Sequence, residues 1–321
     1  MPATGVDGRQ PPSDPGTPFR RRVTPSPSWA ACYGLTDASA WGRAASRWHQ
    51  RRAVRISARV SPLQNYGVQV TFDVEAEAYG RFMGRYSEPL AIQFAERAGV
   101  RLGQRAVDVG CGPGALTAQL VKILGAGEVA AIDPSRSFVE AIRDRLPDVE
   151  VKVGVAEQLP FQDNSFDVAL AQLVVHFMTD PIQGLKEMRR VTRPGGLVGA
   201  SVWDHSGAKG PLSIFWRAAQ DLDPAVRGEA DLPGTGEGQL AQLGRDAGLS
   251  DIDSCTLTVT VGFQTATEWW EPFTLGVGPA GAYVAGLDER AQDALRDRCL
   301  RLLPPAPFQV TATAWSVLGR A

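Results

Sequence analysis

The chain has 321 residues, 44% of them hydrophobic and 21% charged, with a net charge of −2, an ordinary balance for a globular protein with a sizeable core. No run of about 18 apolar residues occurs, and the first residues do not follow the basic, apolar and small-residue order of a secretory signal; the expectation is a cytoplasmic protein with no stable membrane anchor. Four cysteines (Cys32, Cys111, Cys255, Cys299) and three histidines (His49, His176, His205) lie far apart, without the short spacings of a zinc or disulfide framework, so no metal is expected.

Residues 1–70 hold eight prolines and ten arginines against three acids, with no lysine. Their apolar content is too low to offset ordering entropy, and disorder is the plain reading. A second reading takes "WGRAASRWHQRRAVRISARV", from Trp41, as an Arg-rich amphipathic arm for a membrane surface or for targeting. A third places the true start of translation near Val68 or Val70, which makes the segment non-native. The body, residues 71–321, is acidic; this disfavours nucleic acid as partner, because phosphate binding rests on clustered Lys and Arg. The scarcity of lysine beside arginine points to a GC-rich, bacterial type of genome.

Along the body, a helical entry at Glu88–Val100 precedes an alternation of short apolar runs and helix-like segments. Strands are expected at Arg105–Val109, Glu128–Ile132, Val149–Val153, Asp167–Ala171 and Gly196–Val202, with helices opening at Gly114, Ser135 and Pro181. This pattern reads as right-handed crossovers and a parallel sheet covered on both faces. Beyond it, "LSIFWRAAQDL" reads as a cap insertion, and Asp253–Phe263 and Pro307–Ala321 alternate as strands with helices between them. The fold class is α/β, a doubly wound, seven-stranded, mostly parallel sheet with an antiparallel C-terminal edge strand and helical caps.

The first strand runs into "VDVGCGPG", Val107 to Gly114. Glycines at 110, 112 and 114 let the main chain adopt unusual angles and approach a ligand, and the following helix N-terminus favours negative charge. Sheets of this kind bind ligands at the carboxyl ends of their strands. Asp133 ends the second strand, twenty-three residues past Gly110, where an acid accepts from two ribose hydroxyls. A nicotinamide dinucleotide is the competing ligand, but its turn is G-x-G-x-x-G, and Asp108 would repel a pyrophosphate while suiting an ammonium group.

The set "VDVGCGPG", "AAIDPS", "GVAEQLPFQDNSFDVALAQLVVHF" and "RRVTRPGGLVGASVWD", in this order and spacing, resembles class I S-adenosylmethionine-dependent methyltransferases, of the small-molecule branch that includes quinone and sterol methyltransferases. The resemblance covers residues 73–321, and "EWWEPFTLGVGPAGAYVAGLDE" with "AWSVLG" is similar to a bacterial subgroup. It implies S-adenosyl-L-methionine as cofactor, with Asp108, Gly110, Gly112 and Gly114 at its methionine end. It also implies Asp133 on the ribose with Pro134 and Ser135 beside it, Ala156 and Glu157 at the adenine edge, Gln172 near the amino-acid moiety, and Arg85 or Tyr86 reaching the carboxylate. Family members commonly carry an aspartate where this chain has Val155, which removes one acceptor for the adenine amino group.

Methyl transfer from a sulfonium is an in-line displacement that needs alignment above all. A hydroxyl or acidic carbon acceptor also needs a base, and His176, just past the fourth strand, is the candidate; the alternative is that its imidazole merely packs. His205 and Asp204 are weaker candidates. Trp203, Phe215, Trp216, Trp269, Trp270, Phe273 and Tyr283 are expected to wall an apolar pocket for a small aromatic, isoprenoid or polyketide-like acceptor. Two other functions stay open from sequence: an NAD(P)-dependent oxidoreductase, and a catalytically silent S-adenosylmethionine-binding protein.

Overall fold

The structure, a computed structural model, describes residues 76–321; the readings made for residues 1–70 lie outside the described residues. The described part opens with α1 (Ala76–Tyr79), a π-helical turn (Gly80–Gly84) and α2 (Arg85–Arg97). Then follow β1 (Ala106–Val109), α3 (Ala115–Leu124), β2 (Val129–Asp133), α4 (Arg136–Arg145), β3 (Glu150–Val153) and β4 (Phe166–Gln172). After these come α5 (Pro181–Val191), β5 (Thr192–Trp203), α6 (Ser213–Leu222), α7 (Gln239–Asp246) and β6 (Ser250–Phe263). The chain closes with α8 (Ala266–Trp270), α9 (Gly278–Ala285), α10 (Glu289–Leu302) and β7 (Phe308–Arg320).

One seven-stranded sheet runs β3-β2-β1-β4-β5-β7-β6. The first five strands pair in parallel, and β7 pairs antiparallel with both β5 and β6. The C-terminal strand is thus antiparallel but sits one place inside the edge, which β6 occupies. β6 shows the physical reason: its first nine residues are all exposed or half-buried, whereas β7 is largely covered.

The central strands are apolar on both faces because both are covered. One face of β1, β2, β4 and β5 packs under α5 and α7 through residues such as Ile132, Phe166, Leu185, Met188 and Leu240. The other packs under α2, α3 and α4 through Phe94, Leu116, Leu120, Ile142 and Leu170. Each large side chain so buried is worth roughly 1.5–3 kcal/mol in transfer free energy.

Local signals fix several helix starts. Asp180 caps α5, its Oδ1 accepting from the Gln183 N–H at 3.0 Å, with Pro181 at the first helical position, where a missing N–H costs nothing. Ser135 caps α4 by accepting from the Phe138 N–H. α7 has no such cap and follows a left-handed Gly238; its sequence carries no start signal. Among the described residues, no helix is long and apolar enough to cross a membrane.

A third cluster joins the N-terminal turn to α6, α8, α9, α10 and the distal ends of β6 and β7, and it is rich in rings. Phe215 stacks on Phe273 with centroids 4.6 Å apart and ring planes 3° from parallel, and Trp269, Trp270, Trp216 and Tyr283 pack around the pair. These six aromatics therefore serve the core of the C-terminal half. They line neither of the two cavities described below, which corrects the expectation of an aromatic acceptor wall; only Trp203 of that set lines a cavity.

Candidate functional site

A cavity of about 300 Å³ lies at the carboxyl ends of β1, β2 and β4. Asp108, Gly110, Gly112, Asp133, Pro134, Ala156, Glu157 and Gln172 all line it. Gly114 does not. It occupies a left-handed position before α3, where a Cβ would meet the Arg145 guanidinium at 2.8 Å and Ile142 at 3.0 Å. Its lack of a side chain serves helix packing.

Gly110 also answers to the protein as well as to a ligand. At φ +69° its Cβ would stand 2.3 Å from the Val174 side chain, so the chain's own β4 loop forbids a side chain there. Gly112 differs: at φ +53° nothing lies within 4 Å of a Cβ, and its N–H donates to Asp133 Oδ2 at 2.8 Å. The open side of the turn is at Gly112.

Asp133 is fixed from both sides, since the Ser135 N–H donates to its Oδ1 at 2.8 Å. Each oxygen holds one backbone donor and retains capacity for another. Burial raises the Asp133 pKa, opposed by these two hydrogen bonds. A pair of vicinal hydroxyls suits this carboxylate, because each brings one O–H donor to one oxygen.

Asp108 projects from β1 and accepts from the Thr117 hydroxyl at Oδ2, 2.6 Å away, while its Oδ1 is buried without a partner. Burial pushes its carboxyl up to about 7 against the pull of that hydrogen bond. Gln172, at the end of β4, donates from Nε2 to the Ser87 carbonyl at 2.9 Å and leaves Oε1 without a partner; the Ser87 hydroxyl is likewise unpaired. Three unpaired oxygens thus belong to one cavity wall. Leaving one buried polar group unsatisfied costs about 1–3 kcal/mol. An ammonium carries N–H donors for oxygens of this kind, so the residues present fit an amino-acid head group with an attached ribose.

At the other end, Gly154, Val155, Ala156 and Glu157 form the wall. Glu157 is already engaged: its Oε1 accepts from the Thr179 and Asp180 N–H groups at 2.7 and 3.2 Å, tying down the loop whose Met178 and Thr179 close that wall. Val155 is 47% exposed and offers no side-chain acceptor. Cys111 also lines the cavity, and burial pushes its thiol well up.

Arg85 and Tyr86 lie elsewhere. Arg85 pairs with Glu268 at 2.9 Å, donates to the Gly262 carbonyl and covers the Phe263 ring; Tyr86 is buried edge-on to Trp203. Neither lines the cavity, which the N-terminal segment reaches through Tyr79 and Ser87 instead. Sequence reasoning missed Tyr79, whose ring packs edge-on to Phe138 and whose phenol is held protonated by burial and the nearby Asp133.

A second, smaller cavity of about 40 Å³ adjoins the first and shares Tyr79, Leu173 and Phe177 with it. His176 belongs to this one, together with His205, Glu229 and Trp203. His176 is 4% exposed and its Nδ1 has no hydrogen-bond partner. Burial, helped by His205, lowers its pKa well below the ordinary value. Asp204 faces away, accepting from the Gly207 N–H at 2.7 Å near Lys209. Glu229 was not legible in sequence: it lies in a loop, at no recognisable spacing from either histidine.

Residues 107–199 match the family described as Methyltransferase domain, a stretch that holds the glycine turn, α3, β2, α4, β3, β4, α5 and most of β5. Among relatives, the chain is 39% identical over 158 residues to an uncharacterized 37.1 kDa protein in transposon TN4556 of Streptomyces fradiae, covering 47% of this chain and 44% of that protein. It is 43% identical over 104 residues to a demethylmenaquinone methyltransferase of Staphylococcus aureus, covering 31% of this chain and 43% of that enzyme. The matches thus span less than half the length of these curated relatives. A solved structure of phosphoethanolamine N-methyltransferase 2 from Haemonchus contortus, in complex with phosphomonomethylethanolamine and S-adenosylhomocysteine, is similar at a TM-score of 0.48 and 17% identity, covering 76% of this chain and 56% of that one.

Proposed function

We propose that residues 71–321 act as the enzyme domain and transfer a methyl group from S-adenosylmethionine to a small-molecule acceptor whose reacting group alone enters the second cavity, a space of about 40 Å³. The observation that carries this reading is the contact between the two cavities through Tyr79, Leu173 and Phe177. A donor fixed in one and an acceptor in the other meet across that wall. When bound, the cofactor supplies an electrophilic methyl on a sulfonium.

The chain's own part is alignment. Asp133 holds the ribose hydroxyls, Asp108, Gln172 and Ser87 hold the amino-acid head, and Pro134, Ala156 and Val155 bound the adenine end. Two reactants fixed at near-attack distance gain most of what such a displacement needs. Tyr79 and Phe177 wall the transfer path and keep water from it.

His176 addresses the acceptor. Its lowered pKa keeps the imidazole neutral at pH 7, the state able to take a proton or offer a lone pair. The unpaired Trp203 Nε1 supplies a donor for an acceptor oxygen. With the six other aromatics committed to the core, support for an isoprenoid or polyketide-like acceptor is withdrawn. The second cavity is lined mostly by apolar side chains such as Phe82, Met83, Leu212 and Val277, with His176, His205 and Glu229 among its few polar groups, which suits an acceptor group presenting one oxygen or nitrogen. The demethylmenaquinone methyltransferase match is compatible with a quinol-like hydroxyaromatic.

The test is a screen of small hydroxylated acceptors with isotopically labelled S-adenosylmethionine and full-length protein. Label transferred to an acceptor supports the reading. Tight cofactor binding with no transfer to any acceptor class, and none in the presence of cell extract metabolites, supports the silent-binder alternative.

A further inference from the structure

Three side chains distant in sequence converge beside the second cavity. His176 follows β4, His205 follows β5 and Glu229 lies in the loop after α6. One nitrogen or oxygen of each lies within 4.8 Å of those of the other two, and the residues are 4%, 8% and 3% exposed. Yet they are not bonded to one another. His205 Nε2 and Glu229 Oε1 stand 4.0 Å apart, beyond hydrogen-bond reach, and His176 Nδ1 is buried with no partner.

Buried polar groups are normally paired, and a buried carboxylate left alone is expensive. This carboxylate is nonetheless held in place: Trp216 Nε1 donates to Glu229 Oε2 at 2.8 Å, leaving Oε1 towards the histidines. His205 is confined by Gly210, where even a Cβ would lie 3.0 Å from its Nδ1. Outer contacts that orient side chains whose remaining lone pairs converge are the usual support of a metal centre. Two neutral imidazoles and one carboxylate make a donor set suited to zinc or to another borderline first-row ion.

We propose that His176, His205 and Glu229 form a divalent-cation site of the two-histidine, one-carboxylate kind. Ligands about 2.1 Å from a tetrahedral ion stand about 3.4 Å from each other, so donor atoms that now lie within 4.8 Å of one another, 4.0 Å for His205 and Glu229, must draw in by roughly 0.6 to 1.4 Å through side-chain rotation. With three protein ligands, a fourth position is left for water or for an acceptor oxygen. A cation there lowers the pKa of an acceptor hydroxyl, whose proton leaves to bulk water before the oxygen takes the methyl group. That role rests on the methyl-transfer reading; the cation site itself does not.

The experiment uses full-length protein stripped with a chelator and titrated with Co²⁺ and Zn²⁺, reading bound metal by mass spectrometry and the visible ligand-field absorption of Co²⁺. S-adenosylhomocysteine binding is measured on the same samples. The site predicts one ion per chain, with affinity at least about tenfold weaker in Glu229→Gln and in His205→Ala, while binding of S-adenosylhomocysteine, which uses the other cavity, is retained. Wild-type protein that takes up no stoichiometric ion overturns the proposal and leaves His176 a free base, and so does uptake that both variants keep. Cobalt binding without S-adenosylhomocysteine binding leaves the cation site standing and removes the methyl-transfer reading instead.

Discussion

The two adjoining cavities are built in opposite ways. The larger is assembled from successive strand ends of the first half, by a glycine turn and the polar side chains beside it; the smaller is assembled from turns and loops distant in sequence. The larger therefore has a sequence signature and the smaller has almost none. A glycine turn and an acid at the next strand end must occur at fixed spacing, because the sheet fixes their separation. His176, His205 and Glu229 are bound by no such spacing, and only the packing of the caps on the sheet brings them together.

Substitutions that act on one cavity and spare the other test this division, and the largest effect is expected at the smaller one. His176→Ala should lower turnover by roughly 10²–10⁴-fold, the range for losing a group that manages the acceptor's proton, with cofactor affinity unchanged in calorimetry. Equal losses in rate and cofactor affinity would show that the two cavities do not work separately.

Asp133→Ala attacks the larger cavity. Removing a carboxylate that accepts two charge-assisted hydrogen bonds should weaken cofactor binding by roughly a hundredfold or more, at about 1.5–3 kcal/mol per bond. It also frees the Gly112 and Ser135 N–H groups that the carboxylate now holds, so some loss of thermal stability should accompany it. Wild-type affinity in this variant would remove the ribose assignment.

Asp108 gives the larger cavity a pH dependence. Its carboxyl is pushed up to about 7 by burial, so in the free protein it is largely protonated below that pH. An ammonium binds the ionised form, and affinity should therefore fall as pH drops through about 7, by up to about tenfold per unit. Asp108→Asn should bind weakly at every pH and lose the slope. The smallest effect belongs to Val155→Asp, which adds the missing acceptor at the adenine end. One such bond is worth about 1 kcal/mol, or roughly a fivefold gain in affinity by equilibrium titration; no gain would mean that the position lies off the adenine edge.

Much of the fold was legible because the signals are local and physical. Strand ends at Val109 and Asp133, the helix starts at Ser135 and Pro181 and the continuous apolar runs of β1 and β4 each follow from short-range chemistry. What escaped depended on long-range packing. The place of β7 inside the sheet follows from its covered faces, α7 begins without a cap, and the Trp and Phe residues of the last third turn out to stack on one another around Phe215 and Phe273. The glycine turn is a mixed case. It was read as an approach for a ligand, yet Gly110 is cleared by Val174 and Gly114 by Arg145 and Ile142, and only Gly112 opens on free space.

The central claim is that the cavity below this turn holds S-adenosylmethionine, and the direct measurement is calorimetric titration of full-length protein with S-adenosylhomocysteine, S-adenosylmethionine and NAD, repeated with Asp133→Ala. The account predicts saturable binding of one molecule of either sulfur ligand per chain, none of NAD, and a roughly hundredfold loss in the variant. Binding of NAD alone, or equal binding of the sulfur ligands by both proteins, would contradict it.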